Sequence, residues 1–529
     1  MTRDAQNSGG KPLLAPSWRE TVLVFLVFFV VGGAPVPHVN ETHYLAKAKH
    51  FWNPTWCAGD LFLESADPHW VFYATFGVLT KWFSQSTVAW VGRIAAWLLL
   101  AWTWQKLSAR VISGKYFSII TAALFVVLIE WCNFAGEWVV GGVESKCFAY
   151  GFVLWALAEV ARGNWRSAWP LLGIASSWHV LVGGWSVVGL LVVWITEPLE
   201  SRPRLRDNFP SLLLGGILAL PGVIPGLLLS ASAPANVAAT ANQIYVFERL
   251  PYHLAPLTLP AGELIGRAAR FGILLAGFVW LQWLLPILAT GNSRIALDRL
   301  QRFAAASIGI GFIGLLGEVL FWNDPGHAAG FLKYYWFRLA DVAVPLAIAL
   351  SCGSLMSQFS QGMPRVAKWA SLLTATIPGV LILYVAINRW VDPAPPANSR
   401  VQNAQDWQSA CLWIRQNTPQ DALFLIPRSA QSFKWYAERP DLCNWKDVPQ
   451  DPISLLEWKN RLLDVFSHVT EWGETSRDRR LGELGSRRLG ELAEKYGIDY
   501  LLAEEYPPVE LPVVYQNSSY IVYQPERAE

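Results

Sequence analysis

Charged residues are scarce in this chain, because aspartate, glutamate, lysine and arginine make up only 16% of its 529 residues. Hydrophobic residues make up 53%, and the mean hydropathy of +0.28 is typical of integral membrane proteins. The formal net charge is only +2, so no strongly basic surface indicates nucleic acid as a partner. These shortages predict a chain whose main partner is the lipid bilayer.

Cysteines are also few, and the six present form no CxxC pair, which disfavours a zinc or redox site. Cys411 and Cys443 both lie in the polar C-terminal region, and the sequence leaves open whether they form a disulfide. The chain has no GxxxxGK[ST] loop and no HExxH, which disfavours an ATP-driven pump and a zinc protease. A GxGxxG match at 309–314 lies inside an apolar stretch, where packing of helices through glycine is the better interpretation.

Long apolar stretches recur along the first 390 residues, most of them near the roughly 17–25 residues that a spanning helix needs. The segment 70–84 is ambiguous, and we interpret it as a helix that lies along the membrane surface. We predict about eleven spans, near residues 20–37, 88–107, 116–133, 147–161, 168–182, 183–197, 210–230, 266–289, 303–322, 340–355 and 369–388.

The basic residues between these spans predict the orientation of the chain. When 70–84 is not counted as a span, groups of lysine and arginine all fall on one side, which the positive-inside rule makes the cytoplasm. The N-terminal tail 1–19 is then cytoplasmic, and the C-terminus lies outside. The predicted location is the cell (inner or plasma) membrane, with the chain crossing it many times.

The domain organisation follows from a change in composition near residue 390. Residues 20–390 form the predicted membrane domain, with an outer loop at 38–87, and 391–400 form a Pro-rich linker. Residues 401–529 are more polar and alternate helical patterns with short apolar strands, which predicts a small extracytoplasmic α/β domain. The predicted fold class is therefore mostly α, a polytopic helical bundle followed by this domain.

The outer loop holds the two candidate catalytic carboxylates, Glu41 and Asp60. A carboxylate in a dry cleft can take a proton from an attacking hydroxyl as a general base. The alternative for Glu41 is a solvated loop acid, and the alternative for Asp60 is a turn residue after Gly59. The neighbouring His43 and Tyr44 are candidate substrate-binding residues.

Further polar candidates fall on the same predicted side. Lys333 and Arg338, in the segment 323–341, are candidate phosphate ligands, because guanidinium suits phosphate geometry. An ion pair between Arg338 and Asp341, three residues apart, is the alternative. Glu144 has the alternative of pairing with Lys146, and His179 that of a structural histidine. The remaining candidates for substrate binding are Glu144, His179, His327 and Tyr335.

These features together resemble the C-superfamily of membrane glycosyltransferases (GT-C). The shared features are a cytoplasmic N-terminus, an acid at the start of the first outer loop (Asn40-Glu41-Thr42-His43-Tyr44), an interfacial helix, the basic residue of KYYWFRLAD and an outer C-terminal domain. The stretches NETHYL, GGVESK, KYYWFRL and WIRQNTPQDALFLIP resemble more closely an uncharacterised bacterial family of multi-spanning membrane proteins, which has no established activity.

The GT-C resemblance implies an inverting transfer of a sugar from a polyprenyl-phosphate donor to an extracytoplasmic acceptor. By position, Glu41 would be the base and Arg338 the phosphate ligand, assisted by Lys333. Many relatives carry an acidic pair or a DxD motif with a divalent metal, but this chain has a lone Glu41 there, so metal dependence stays open and no cofactor is assigned. The alternatives are a lipid or solute transporter and a non-catalytic scaffold or sensor. Transporters often show internal repeats, and none is evident in this chain.

Overall fold

The computed structural model describes residues 17–288, 291–469, 475–476 and 480–525, so residues 1–16 of the predicted tail lie outside the described residues. Helices dominate the chain up to residue 391. In order they are α1 (Trp18–Gly32), α2 (Glu41–Trp52), α3 (Leu61–Glu64), α4 (Trp70–Thr75), α5 (Gln85–Ser108), α6 (Phe117–Cys132), α7 (Ser145–Ala161), α8 (Trp165–Trp178), α9 (Val180–Thr196), α10 (Leu205–Ala231), α11 (Ala235–Gln243), α12 (Pro251–Leu254), α13 (Ala261–Leu288), α14 (Gly291–Leu320), α15 (Pro325–Leu332), α16 (Arg338–Gly362) and α17 (Pro364–Val391).

Each of the eleven predicted spans coincides with a helix, namely α1, α5 to α10, α13, α14, α16 and α17. Within the described residues, α5, α10, α13, α14, α16 and α17 are long and apolar enough to cross a membrane, and α6 and α9 are shorter apolar helices. Helix α16 is almost wholly buried inside the molecule, whereas few residues of α17 are buried. The predicted class, a mostly α helical membrane bundle, is confirmed.

The segment predicted as an outer loop contains regular structure. Residues Glu41–Trp52 form α2, because no proline or glycine interrupts them, and the helix ends just before Asn53 and Pro54. The predicted interfacial helix is divided into α4 and a 3₁₀ turn, Gly77–Lys81. Helix α2 therefore presents its side chains in a fixed register to the elements around it.

The C-terminal unit combines helices with a small sheet. Its sheet has the order β1-β4-β6-β5, with β1 parallel to β4 and the other pairs antiparallel, and β2 pairs separately with β3. The predicted small α/β unit is confirmed. Its elements are α18 (Ala404–Asn417), α19 (Phe433–Ala437), α20 (Pro452–Phe466), α21 (Gly485–Tyr496), β1 (Phe424–Leu425), β2 (His468–Val469), β3 (Thr475–Ser476), β4 (Tyr500–Glu504), β5 (Val513–Gln516) and β6 (Tyr520–Tyr523).

Apolar side chains cover both faces of this four-stranded sheet. Leu501 of β4 packs into one apolar cluster and its neighbour Leu502 packs into the other, as the alternation of a strand requires. Cys411 lies in the second of these clusters and Cys443 in the first, and both thiols are free. The two cysteines therefore do not form a disulfide.

The C-terminal unit covers one end of the helical bundle. Helix α20 packs on α11 and α3, and α19 packs on α2. Polar contacts reinforce this interface, because Lys49 Nζ lies 3.1 Å from Glu438 Oε1, and the backbone amide of Ala66 donates to Asp451 Oδ2 at 3.2 Å. The space enclosed between the two parts holds the candidate site.

Candidate active site between the helical bundle and the C-terminal unit

Two cavities meet where the C-terminal unit covers the bundle. The first chamber, of about 300 Å³, is lined on one side by Gly222, Gly226 and Leu229 of the apolar helix α10. The second chamber, of about 370 Å³, is lined mainly by polar and charged residues of the loops. The residues that line both chambers form their common wall: Tyr44, His179, Tyr245, Tyr335, Arg338 and Gln450.

Arg338, the first residue of α16, is the cation of this common wall. Its Nε lies 3.0 Å from Glu137 Oε2, and its Nη1 donates to His179 Nε2 at 3.1 Å, which makes that ring nitrogen an acceptor. The guanidinium carbon lies 3.9 Å from the ring centroid of Tyr335. Tyr335 has a φ of +57°, a left-handed conformation that is uncommon outside glycine, so the backbone here is held by its surroundings.

Arg338 and Asp341 do not form the ion pair that the sequence offered as the alternative for Arg338. Asp341 is fully buried and accepts hydrogen bonds from the backbone amides of Phe134 at 2.7 Å, Ala135 at 2.9 Å and Glu137 at 3.3 Å. Asp341 thus fixes the loop that carries Glu137, and Glu137 is the partner of Arg338.

Two carboxylates line the second chamber, and they share one ammonium. Lys146 Nζ lies 3.3 Å from Glu137 Oε1 and 3.2 Å from Glu144 Oε1, but neither oxygen receives a well-aligned hydrogen bond. Glu144 Oε2 accepts from Asn40 Nδ2 at 3.2 Å. The predicted pairing of Glu144 with Lys146 is therefore present, and Glu144 also borders the cavity.

Glu41 occupies a position that does not fit its predicted role as the general base. It is fully buried, and Arg93 donates to both of its oxygens, from Nε to Oε1 and from Nη2 to Oε2, each at 2.6 Å. The backbone amides of Val143 and His38 complete its shell at 2.8 and 2.7 Å. A carboxylate with four donors and an ionic partner has no free oxygen for a substrate proton, so Glu41 instead fixes α2 against α5.

Asp60, the second predicted catalytic acid, is also taken up by structural contacts. Its Oδ1 accepts from the backbone amide of Leu63 at 3.0 Å as the N-cap of α3. Its Oδ2 accepts from the backbone amide of Asp441 at 3.1 Å and lies 2.9 Å from Lys434 Nζ. Asp60 lines neither chamber, and the prediction that it is catalytic does not fit these contacts.

Asp60 belongs to a buried group that we call the Lys434 cluster, formed by Lys434, Asp60, Asp441 and Asp447. Lys434 Nζ lies 2.8 Å from Asp447 and also pairs with Asp441. Burial raises the pKa of Asp441 to about 7. Burial also opposes ionisation of Asp447, but Lys434 and His43 hold the pKa of that carboxyl well below its usual value. The cluster joins the C-terminal unit to α3.

Tyr44 and Tyr335, two predicted substrate-binding residues, meet at the common wall. The hydroxyl of Tyr44 lies 3.2 Å from His69 Nε2, and burial lowers the pKa of His69 to about 3, so this ring is neutral. The hydroxyl of Tyr335 lies 2.9 Å from that of Tyr245. The wall is thus built of uncharged aromatic groups around Arg338.

The other predicted residues are divided between the chambers and the surface. Lys333 lines the first chamber, and burial lowers the pKa of its ammonium. His43 lines the second chamber, with its Nδ1 3.4 Å from Asp447 Oδ1. His327 lies on the surface, 2.6 Å from Asp324 Oδ2, and lines neither chamber. His327 therefore does not join the site.

Sequence reasoning missed several residues that line the second chamber, among them Tyr245, Arg249 and Lys446. Tyr245 and Arg249 follow α11 in the stretch IYVFERL. This stretch connects two predicted spans, and the connection is predicted on the same side as the C-terminal unit. The same count of spans that selected Arg338 could have selected Arg249. Lys446 gave no such signal, because its approach to the bundle depends on how the C-terminal unit packs.

A metal site does not emerge from the described part of the chain. Among residues 17–288, 291–469, 475–476 and 480–525, no group of three or more His, Cys, Asp or Glu side chains is placed to hold a metal ion.

Comparison with known proteins gives one family match and several remote structural likenesses. Residues 405–465 match the model of a domain of unknown function, DUF6798. A search of curated protein sequences finds no match.

Three solved structures are similar to this chain. The crystal structure of an Archaeoglobus fulgidus oligosaccharyltransferase with Zn and sulfate has a TM-score of 0.43 and 14% identity, over 92% of this chain and 67% of that one. Archaeal oligosaccharyltransferase AglB from the same organism, with an inhibitory peptide and a dolichol-phosphate, has a TM-score of 0.42 and 12% identity, over 92% of this chain and 70% of that one. ArnT from Cupriavidus metallidurans, in the apo state, has a TM-score of 0.39 and 13% identity, over 95% of each chain. At such low similarity, function is inferred from the geometry of the chambers.

Proposed function

We propose that this protein is a membrane glycosyltransferase that moves a sugar from a polyprenyl-phosphate donor to an acceptor, with inversion at the anomeric carbon. The observation that carries the proposal is the position of Arg338. This buried guanidinium separates a chamber bordered by a membrane helix from a chamber lined by carboxylates and cations. A donor with an apolar tail and a phosphate-linked sugar needs these two environments side by side.

The donor would lie with its lipid along α10 and its phosphate at Arg338. Helix α10 is apolar, and most of its side chains are exposed on the outside of the bundle, where lipid would reach them. Lys333 lines the same chamber, and no described carboxylate pairs with it, so its ammonium is available to an anion. The sugar would then project past Tyr335 into the second chamber.

The acceptor hydroxyl would be activated by Glu144. As its oxygen attacks the anomeric carbon, the bond between that carbon and the phosphate oxygen breaks, and the phosphate leaves with the electron pair. Arg338 and Lys333 neutralise the charge that develops on the phosphate, and each charge-assisted contact contributes about 1.5–3 kcal/mol. The hydroxyl proton passes to the carboxylate of Glu144, and no general acid is required because the lipid phosphate is a good leaving group.

Glu144 replaces Glu41 in this proposal because of how the two carboxylates are surrounded. Glu41 is saturated by Arg93 and two backbone amides. Glu144 instead lines the second chamber, and its Oε1, 3.2 Å from Lys146 Nζ, receives no aligned hydrogen bond. Glu144 also immediately precedes α7, so its backbone position is fixed by the start of that helix. The orientation predicted from the sequence, with the C-terminal unit outside the cytoplasm, is retained as part of the proposal.

The experiment is sugar transfer by the purified full chain in lipid nanodiscs, from a panel of polyprenyl-phosphate sugars to an extract of cell envelopes. Glu144→Gln keeps the shape and removes the base, so transfer should fall about 10²–10⁴-fold. Arg338→Gln should raise the donor concentration that gives half the maximal rate. Glu457→Gln, an exposed acid of α20, is the matched control and should leave both values unchanged. Wild-type rates in Glu144→Gln would refute its role as the base.

A further inference from the structure

The second chamber has more cations than its carboxylates can match. Its lining contains four cationic residues, Lys146, Arg249, Arg338 and Lys446, against two acidic residues, Glu137 and Glu144. The histidines do not add to the positive charge, because burial lowers the pKa of His38 to about 4 and that of His43 below its usual value. Lys146 and Arg338 have carboxylate partners, which leaves Arg249 and Lys446.

Arg249 is a buried guanidinium without an acidic partner. Its side chain is only 7% exposed, and it forms no ion pair with a described carboxylate. Its Nε has no hydrogen-bond partner, and Nη2 makes only a long contact of 3.5 Å to the backbone oxygen of Lys446. A buried cation without a partner destabilises the folded protein unless a ligand binds it.

The backbone that carries Arg249 is itself unusual. Residues Ile244–Arg249 form a π-helical turn, a rare conformation that is frequent at functional sites. This turn brings both Tyr245 and Arg249 to the wall of the second chamber. The ring of Trp445 supports the guanidinium from the C-terminal unit, with its centroid 5.1 Å from the guanidinium carbon.

Lys446 is the second unmatched cation, and it reaches the chamber from the C-terminal unit. Its Nζ donates to the amide oxygen of Asn40 at 2.5 Å, and no carboxylate among the described residues forms an ion pair with it. Burial and the charge of Arg249 lower the pKa of Lys446 to about 8. Glu144 and Asp447 attract Lys446 through space. Glu144 lies beside Lys146, however, and the oxygens of Asp447 are engaged by Lys434, Asn444 and His43.

We infer that Arg249 and Lys446 form a second anion subsite, which binds a phosphate or carboxylate group of the substrate. The inference rests on the proposed function and extends it, because it requires an anion in addition to the phosphate held by Arg338. Two sources share this chemistry: the second phosphate of a lipid diphosphate donor, and an acidic group on the acceptor.

The test measures anion binding to the purified full chain by calorimetry and needs no sugar transfer. Phosphate is titrated into Arg338→Gln, so that the first site is removed, and into Arg338→Gln with Arg249→Gln added. Adding Arg249→Gln should weaken the remaining binding about tenfold to a hundredfold, the worth of one charge-assisted contact. Adding Lys446→Gln instead should weaken it several-fold, and Arg249→Lys should retain part of the affinity.

Arg487→Gln is the matched control, because Arg487 is an exposed arginine of α21 that faces neither chamber. It should leave phosphate affinity unchanged. Thermal unfolding of each variant checks that the fold is intact. Phosphate binding that is absent in Arg338→Gln, or that is unaffected by both Arg249→Gln and Lys446→Gln, would overturn the inference.

Two further probes identify the source of the anion. If the subsite takes the second phosphate of a donor, inorganic pyrophosphate should bind the wild type more tightly than phosphate, and Arg338→Gln and Arg249→Gln should each weaken it. If the subsite takes an acidic acceptor, glucuronate should bind and should be weakened by Arg249→Gln but not by Arg338→Gln. These binding measurements are independent of catalysis. If no sugar transfer were found, the anion subsite could still be confirmed, and if no anion bound, the proposed transfer could still be confirmed.

Discussion

Two groups of buried charge border helix α2, and they differ in whether polar atoms are left without a partner beside an open volume. The Lys434 cluster encloses one ammonium among three carboxylates at ion-pair distance, and its lysine lines neither chamber. The second chamber instead leaves Arg249 and Lys446 without acidic partners beside an open volume. Charged residues that are buried in the same interface therefore divide into closed and open groups.

The difference separates a structural use of charge from a functional one. Closed groups such as the Lys434 cluster or Glu41–Arg93 have no oxygen or nitrogen left for a ligand, so their removal should affect folding. Open groups keep unmatched donors next to a cavity, so their removal should weaken binding and should leave the stability of the ligand-free protein unchanged or higher. The following substitutions test this division.

The largest effect should come from Lys434→Met, which leaves three carboxylates of the Lys434 cluster buried without their ammonium. Breaking a buried ion pair from one side costs about 3–5 kcal/mol, and we expect a loss of this size in the free energy of unfolding. Thermal unfolding in detergent measures it. Lys495→Met is the control, because Lys495 pairs with Asp464 at the surface, where a pair contributes about 0–1 kcal/mol.

The pH dependence of Lys434→Met gives a second check. Without the ammonium, the pKa values of Asp441 and Asp447 should lie above those of the unfolded chain, so the folded state binds more protons. Stability should then fall as pH rises, and the deficit of Lys434→Met should shrink as pH is lowered towards the pKa of about 7 that Asp441 has in the wild type. If Lys434→Met lost the same free energy of unfolding at all pH values, lost packing and not unmatched charge would be the cause.

A smaller loss of stability is expected for Glu41→Gln. The amide keeps the shape but replaces the ionic contacts to Arg93 with neutral ones, which should cost about 1.5–3 kcal/mol. Glu144→Gln, measured in parallel, should leave the unfolding midpoint nearly unchanged because Lys146 retains Glu137. If Glu41→Gln abolished sugar transfer at full stability, the assignment of Glu41 to the closed groups would be wrong.

The sequence predicted the helices and the type of C-terminal unit because both depend on local patterns. Apolar runs located all eleven predicted helices, and alternating short strands indicated the small α/β unit. Charge placement grouped Tyr44, His179, Tyr335 and Arg338 on one side, and the structure brings these four residues into one wall. The helices predicted from periodicity are therefore confirmed, whereas the side of the membrane on which this wall lies stays a prediction.

The roles of individual carboxylates could not be predicted in the same way. Glu41 finds its partner Arg93 in the next long helix, and Asp60 finds Lys434 in the C-terminal unit. No local pattern encodes such pairs, because they depend on how distant segments pack. An acid in a polar loop therefore has the same sequence signature whether its charge is matched or free.

The smallest effect concerns the pH dependence of the proposed anion subsite. Because the pKa of Lys446 is lowered to about 8, its ammonium loses its proton as pH rises through that value. Affinity for sulfate, whose charge stays constant over this range, should then fall by about 1 kcal/mol, the difference between a charged and a neutral hydrogen bond. Arg338→Gln is the background for this titration, so that only the second subsite contributes.

Lys446→Arg distinguishes this cause from a general loss of positive charge at higher pH. A guanidinium stays protonated throughout the range, so the fall in sulfate affinity should disappear in this variant. His38 and His43 cannot produce the effect, because both have pKa values below their usual range and are already neutral. A fall that persists in Lys446→Arg would assign the titration to a group other than Lys446.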